Sequence, residues 1–368
     1  MRKRSESSNL NKPKVAVAMS GGVDSSVAAA LLKKEGFDVV GVFMKFWTPF
    51  QDRARGKWNR CCSPESEARA RKVAKIIDIP FYVFNFEKEF KKRIVDCFLK
   101  ENRQGLTPNP CVVCNKEIKF GSFLEKALEL GIDFIATGHY ARVKNGRLLT
   151  AKDKNKDQSY FLWQLSQGQL KRILFPAGGC TRQEVEKTAE KLRLPFAGVS
   201  KSQEVCFIPK TVEDFLKHYL KPKPGRIVDA SGNVLAKHEG LCLYTIGQRK
   251  GIGLSGGPYY VLDKDFKRNI LIVTKNEKDL LKKELVVKNV HWISGKEPVL
   301  PLRINAKIRY RQRSASVTIV GKSKSGHYKL LFGKSQRAVT PGQSVVFYRG
   351  QEVLGGGIIS ENKRSAAL

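Results

Sequence analysis

Residues 18–25 read Ala-Met-Ser-Gly-Gly-Val-Asp-Ser, a set of types suited to gripping a phosphate. An apolar run, Val15 to Met19, precedes the glycines, and a helix-like stretch, Ser26 to Leu32, follows. A strand, a glycine turn and a helix N-terminus gather free backbone N–H groups and the positive end of the helix dipole at one point. Gly21 and Gly22 let the backbone approach an anion closely. Ser20, Ser25 and Ser26 offer hydroxyls, and Asp24 offers a carboxylate to Mg²⁺. No Gly-Lys-Ser/Thr follows, so this is not a Walker loop, and the glycine spacing is not that of a dinucleotide fold.

The cysteines mark a second chemistry. Cys111 and Cys114 form a Cys-x-x-Cys pair inside Thr107-Pro108-Asn109-Pro110-Cys111-Val112-Val113-Cys114-Asn115-Lys116. The prolines and asparagines stop a helix, and a helix-like stretch follows from Glu117. A thiol just before a helix N-terminus, with Lys116 and Lys119 near, is expected to be a good nucleophile. Cys206 lies on a short strand-like run ending at Pro209. One Cys-x-x-Cys is half a zinc site, and no second pair follows at zinc-ribbon spacing. Two options stay open: an iron–sulfur cluster on Cys111, Cys114 and Cys206, or a pair of thiols that carries and releases sulfur. Cys61 and Cys62 read as loop positions, and Cys97, Cys180 and Cys242 as small buried hydrophobes.

Wide alternation of strand and helix patterns must position these groups. Strand-like Val39–Met44, Phe81–Phe84 and Phe134–Thr137 alternate with helical stretches at 66–77 and 120–130. That predicts a doubly wound, mostly parallel α/β sheet, whose ligands sit beyond the carboxyl ends of the strands. The 18–25 loop, Met44 and Gly138-His139 all fall at such ends. His139 is either a functional group or a histidine satisfied within the fold. After Pro209 the texture changes to short β-like runs, and it shifts again near Leu285. The expected organisation is a polar arm at 1–13, an α/β domain at 14–210, a small mixed or β domain at 211–283, and a β-barrel at 284–368.

The chain of 368 residues carries 68 Lys+Arg against 34 Asp+Glu, a formal charge of +34 spread along its length. Such a field draws polyanions, nucleic acid above all. Strand alternation through 303–313 would align Arg303, Asn305, Lys307, Arg309, Arg311 and Arg313 as one RNA-facing stripe. No apolar run is long enough for a membrane span, and the arm has no hydrophobic segment of the secretory kind. The expected location is the cytoplasm and the expected state a monomer.

The loop at 18–25 resembles the pyrophosphate loop of ATP pyrophosphatases, enzymes that adenylate a substrate oxygen. Over nearly its full length the chain resembles the bacterial tRNA-specific 2-thiouridylases. The matching segments are Ala18–Ser25, Thr107–Phe120, Thr137–Arg142, Lys156–Ser159, Gly198–Pro209, Tyr244–Gly251, Arg309–Gln312 and Pro341–Gln343. The resemblance implies replacement of O2 of the tRNA wobble uridine by sulfur. ATP, with Mg²⁺, would be held by Ala18, Met19, Ser20, Gly21, Gly22, Val23, Asp24 and Ser25, with Met44 and Gly138 lining the site. Cys114 aligns with the nucleophile, and Cys206 with a persulfide carrier fed by a sulfur-relay protein or cysteine desulfurase. Asn109, Pro110, Cys111, His139, Lys156, Asp157, Gln158, Arg309, Tyr310 and Gln343 align with tRNA-contacting positions. Many members have Asp where this chain has Cys111. That departure adds a third thiol and favours the cluster-dependent version of thiolation here. Two other readings are a non-catalytic tRNA-binding protein that keeps a nucleotide fold, and an amidating synthetase of the same ATP fold. The second leaves both thiol sites without a role.

Overall fold

The computed structural model describes residues 12–49, 62–196 and 205–360. The polar arm up to residue 11, Cys61, and the 198–204 part of the Gly198–Pro209 segment lie outside the described residues. The chain divides into two compact units. One comprises Met1–Glu87, Glu117–Ser159 and Gly168–Cys206; the other comprises Lys88–Lys116, Tyr160–Gln167 and Phe207–Leu368. Among the described residues, the α-helices of five or more residues are α1 (Val23–Lys34), α2 (Pro64–Ile76), α3 (Asp96–Arg103), α4 (Pro110–Cys114), α5 (Phe123–Glu129), α6 (Arg182–Lys191) and α7 (Val212–Leu220), and π-helical turns at Lys91–Val95 and Asn115–Ser122 lead into α3 and α5.

The first unit is built on a parallel sheet of β1 (Lys14–Ala18), β2 (Asp38–Lys45), β3 (Phe81–Asn85), β4 (Phe134–Thr137) and a short strand, Ile173–Leu174. The order is β3-β2-β1-β4 with the short strand outermost, and every pairing is parallel. Val15, Ala16 and Val17 of the central strand are fully buried, as expected where helices cover both faces of a parallel sheet. Register places Ala18 opposite both Val42 and Thr137. The loop after β1, the end of β2 and Gly138 therefore emerge at one edge. Switching of strand order on the two sides of β1 opens a crevice there.

The second unit contains two β systems. Gly225–Val228, Val234–His238, Tyr260–Asp265 and Ile270–Thr274 form a four-stranded sheet around Ile227, Val261, Leu271 and Val273. Six strands between Leu281 and Ile359 then pair antiparallel in turn, and the first (Leu281–Trp292) closes on the last (Glu352–Ile359). Closure leaves no free edge among these strands. Val287, Ile319, Leu330 and Phe347 fill the barrel. Among the described residues no helix is long and apolar enough to cross a membrane.

Three local expectations change. Val205–Phe207 is a turn rather than a strand-like run. The strand expected across 303–313 ends at Lys307, and the chain turns from Arg309. Alternation therefore exposes Arg303 and Asn305 but does not carry on to Arg309, Arg311 and Arg313. Cys97, expected inside, is exposed on α3, because Phe98 and Asn102 take the buried face of that amphipathic helix.

Candidate active site

The phosphate-type loop forms between β1 and α1. Gly21 has φ +71°, and a Cβ there would lie 2.2 Å from the Ser66 carbonyl oxygen, so the turn requires glycine. Gly22 caps α1 in an extended conformation without any side-chain hydrogen bond. The first-turn amides of α1 thus keep their capacity for an external anion. The Ser25 and Ser26 hydroxyls both donate to the Gly22 carbonyl at 3.0 Å. Ser25 Oγ also accepts the Ser20 amide at 3.2 Å. These serines brace the loop, and Ser20 is the exposed one of the three. Arg69 of α2 donates from Nε to the Gly21 carbonyl at 2.7 Å.

Asp24 sits in the first turn of α1 with its side chain partly exposed. Its Oδ1 accepts the Tyr140 hydroxyl at 2.8 Å and Arg182 Nη1 at 2.7 Å. Burial, and then the Asp24 charge, push the Tyr140 phenol up, so it stays a donor. Arg182 opens α6 behind a capping box of Thr181 and Glu184 and also pairs with Glu186 at 2.6 Å. Neither Tyr140 nor Arg182 was singled out as a site residue. The Thr-Arg-Gln-Glu run announces a helix start, but nothing local links it to a carboxylate 158 positions away.

Gly138, directly after β4, lies against this loop. A Cβ there would stand 2.5 Å from the Ser25 amide nitrogen and 2.6 Å from the Asp24 carbonyl carbon. We expect Gly138→Ala to lose roughly 1–3 kcal/mol of stability and to weaken ATP binding, read by thermal melts with and without nucleotide. Unchanged melts would overturn that expectation. Met44 is buried at the end of β2.

His139 is enclosed by Phe120 and Phe175, with ring centroids 5.7 and 6.0 Å away, and its Nδ1 meets Thr137 Oγ1 at 2.7 Å. Burial, then the Lys119 charge, hold its pKa well below the ordinary 6.5. The folded protein keeps this imidazole neutral while the unfolded chain takes up a proton as pH falls through 6.5. Stability contributed by neutral His139 is therefore full above that value and drops below it. His139→Gln should flatten the part of the melting-temperature loss between about pH 6.5 and 5 that this group causes. An unchanged slope in paired melting curves would refute it.

The remaining expected contacts fall into two sets. In the first unit, Gln158 exchanges hydrogen bonds with Tyr140, accepting its amide on Oε1 at 3.0 Å and donating its own amide to the Tyr140 carbonyl at 2.8 Å. Lys156-Asp157-Gln158 is thereby pinned beside His139-Tyr140. Asp157 itself is buried, and its carboxylate accepts the Ala151 and Ser159 amides and the Ser159 hydroxyl. That side chain braces a loop. In the second unit, Gln343 donates to the Thr107 carbonyl at 2.8 Å, which brings it to the Asn109-Pro110 segment. Tyr310 packs on Phe161 at 4.4 Å. The Arg309 guanidinium turns inward to the Ile246 and Ala338 carbonyls and Thr340 Oγ1, at 3.1, 3.1 and 2.9 Å. It ties segments of this unit together.

The thiol segment differs from its expected form. The helix starts at Pro110, ahead of Glu117, so Cys111 lies in its first turn and Cys114 ends this segment. Proline suits the first helical position, where the missing N–H has no partner to lose. Cys114 is buried and Cys111 half-buried. Cys206 is half-buried, and Phe207 beside it is anchored among Phe90, Phe98 and Phe215. Cys62 is buried and donates its thiol to the Phe46 carbonyl. Among the described residues no group of three or more His, Cys, Asp or Glu side chains is placed to hold a metal ion.

Comparison with known proteins covers almost the whole chain. Residues 13–210 match the model of a tRNA methyl transferase HUP domain. Residues 213–275 match a tRNA methyl transferase PRC-barrel domain, and 282–359 an aminomethyltransferase beta-barrel domain. The tRNA-specific 2-thiouridylase MnmA 2 of Clostridium tetani is 47% identical over 362 residues, covering 95% of this chain and 99% of its own. The tRNA-specific 2-thiouridylase MnmA of Clostridium perfringens is 44% identical over 364 residues, with the same coverage. MnmA 2 of Geobacillus kaustophilus is 44% identical over 360 residues, covering 95% of each chain.

Proposed function

Because the chain belongs to the tRNA-specific 2-thiouridylase family, we propose that it thiolates C2 of the wobble uridine of tRNA by adenylation followed by sulfur transfer from a cysteine. The observation that carries the first step is the loop at 19–22. It presents uncapped α1 amides beside Asp24, whose Oδ1 is fixed by Tyr140 and Arg182. Fixing one oxygen leaves Oδ2 as the face for a cation. A single carboxylate suffices where substrate phosphates supply the other ligands, so the residues fit Mg²⁺. Bound there, Mg²⁺ offsets phosphate charge. The uridine O2 attacks the α-phosphorus of ATP, pyrophosphate leaves, and the base carries AMP on O2.

Cys206 then supplies sulfur as a persulfide loaded by a sulfur-relay protein or cysteine desulfurase. Its terminal sulfur attacks C2, and AMP departs with the old oxygen. Cys114 attacks the Cys206 sulfur, breaking the S–S bond to the base. The products are 2-thiouridine and a Cys114–Cys206 disulfide, which an external thiol reductant returns to two thiols. Cys111 is a third thiol in the same helical segment as Cys114. In this reading 14–210 is the catalytic domain, 211–283 the central domain and 284–368 the barrel, acting as a monomer in the cytoplasm. Asn109, Pro110, Cys111, His139, Lys156, Gln158, Tyr310 and Gln343 lie along the tRNA path. Two thiol sites support sulfur chemistry over the methyl transfer named in two of the domain descriptions. Mass analysis of tRNA from cells lacking the protein tests the proposal: loss of wobble 2-thiouridine is expected, and an unchanged level would overturn it.

A further inference from the structure

The turn between β1 and α1 contains one peptide that its own residues leave loose. Gly21 and Gly22 put no Cβ on either side of the bond joining them, so sterics resist its rotation less than at the neighbouring peptides. A planar trans peptide holds its C=O and N–H on opposite sides. Either the Gly22 N–H points into the turn, or the Gly21 carbonyl does. The first orientation offers an anion a donor; the second sets a partial negative charge against it.

The next peptide is fixed from within α1. The Gly22 carbonyl accepts the Ser25 and Ser26 hydroxyls, each at 3.0 Å, and the Ser26 amide at 3.2 Å. The Gly21 carbonyl is instead held from a different helix. Arg69 Nε donates to it at 2.7 Å, and Arg69 Nη2 donates to Ser66 Oγ at 3.3 Å. The carbonyl therefore faces α2, and the Gly22 N–H faces away from that helix. Among the described residues this N–H donates to no protein group.

The holder is itself well anchored. Ser63 caps α2 by accepting the Ser66 amide at 3.2 Å, and Pro64 opens the helix. Arg69 is half-buried, and its planar fork reaches the Gly21 carbonyl and the Ser66 hydroxyl together. A lysine ammonium, a single point on a flexible stem, does not reproduce that grip.

We propose that Arg69 is a positioning residue for nucleotide binding: by keeping the Gly21 carbonyl on the α2 side, it aims the Gly22 N–H at the phosphates. It acts through the backbone. The proposal rests on the adenylation reading, which makes the phosphates of ATP the anion in the turn. Without the guanidinium, the 21–22 peptide can turn over and present its carbonyl to them.

The test uses the full chain, Mg-ATP and substrate tRNA. Arg69→Ala should raise KM for ATP in tRNA-dependent pyrophosphate release about tenfold, the contribution of one hydrogen bond to a charged group. kcat should change far less, because bound ATP already carries the charge that this amide meets. Arg69→Lys, which keeps the charge on α2, should raise KM severalfold and carries the test if the alanine protein melts early. A second readout needs no tRNA. In protein labelled with ¹⁵N-glycine, the Gly22 amide signal should shift on Mg-ATP binding in wild type and lose most of that shift in both variants. Gly22→Ala identifies the signal, since a Cβ there meets only Ser20 Oγ, at 3.5 Å. A fall in kcat with KM unchanged, or a Gly22 shift in the variants as large as in wild type, would overturn the proposal. Wild-type protein that binds Mg-ATP with the expected shift but releases no pyrophosphate would instead count against the functional reading.

Discussion

Protein carrying Cys206→Ser will release pyrophosphate when given ATP and substrate tRNA, yet will form no thiolated product. The expected loss of sulfur transfer is on the order of 10⁴-fold or more, since a nucleophile that carries the transferred group has no substitute. Adenylation should stay near wild type, because serine is close in size to cysteine and the turn around residue 206 is set by Phe207. That ring is nearly fully buried among Phe90, Phe98 and Phe215, and the substitution leaves it in place. Two assays on one preparation separate the steps: tRNA-dependent pyrophosphate release, and mass analysis of nucleosides after digestion. Thiolated uridine from the serine protein would remove Cys206 from the mechanism. Loss of both activities together would point to a folding defect, which a melting curve would expose.

Asp24→Ala should do the opposite and stop the reaction at its first step. Asp24 is a first-turn carboxylate on α1 beside the glycine turn, and removing it takes away the fixed partner for a phosphate-bound cation. It also strands two donors: the Tyr140 hydroxyl and the Arg182 guanidinium both lose their acceptor. Loss of a charge placed for the transition state is expected to slow pyrophosphate release by about 10²–10³-fold. The Mg²⁺ concentration for half-maximal rate should rise as well. tRNA binding should change little, because it is distributed over a basic chain. A pyrophosphate burst of wild-type size from this variant would refute the role given to Asp24.

The sequence carried the parallel sheet plainly, because Val15–Met19, Val39–Met44 and Phe134–Thr137 are apolar runs bounded by turn residues. It also carried the loop, whose glycines and Asp24 are local. What it hid was long-range. Tyr140 and Arg182 meet at Asp24 across 116 and 158 positions, and no periodicity encodes a pairing of that kind. The bracing bonds from Ser25 and Ser26 to the Gly22 carbonyl were not legible either, because a hydroxyl near a phosphate loop and one that braces the same loop look alike in sequence. Alternation misplaced Arg309 because it holds only within a strand, and the strand ends at Lys307. The start of α4 was set too late because proline was read as a helix stop, although at the first helical position it initiates.

The interleaving of the two units in the chain has a consequence for synthesis on the ribosome. The pyrophosphate loop and its sheet need only residues up to 206, whereas the segment leading into α4 is pinned by the Gln343 bond to Thr107, 236 positions on. Domains fold from the N-terminus as the chain emerges, so the nucleotide half can form while Cys114 still lacks the barrel that fixes its helix. In the proposed mechanism, a nascent or prematurely terminated chain would hold ATP before its thiol helix is anchored. Completion of the last strands would make the proposed activation and sulfur steps available together, and a truncation in the barrel is expected to uncouple them.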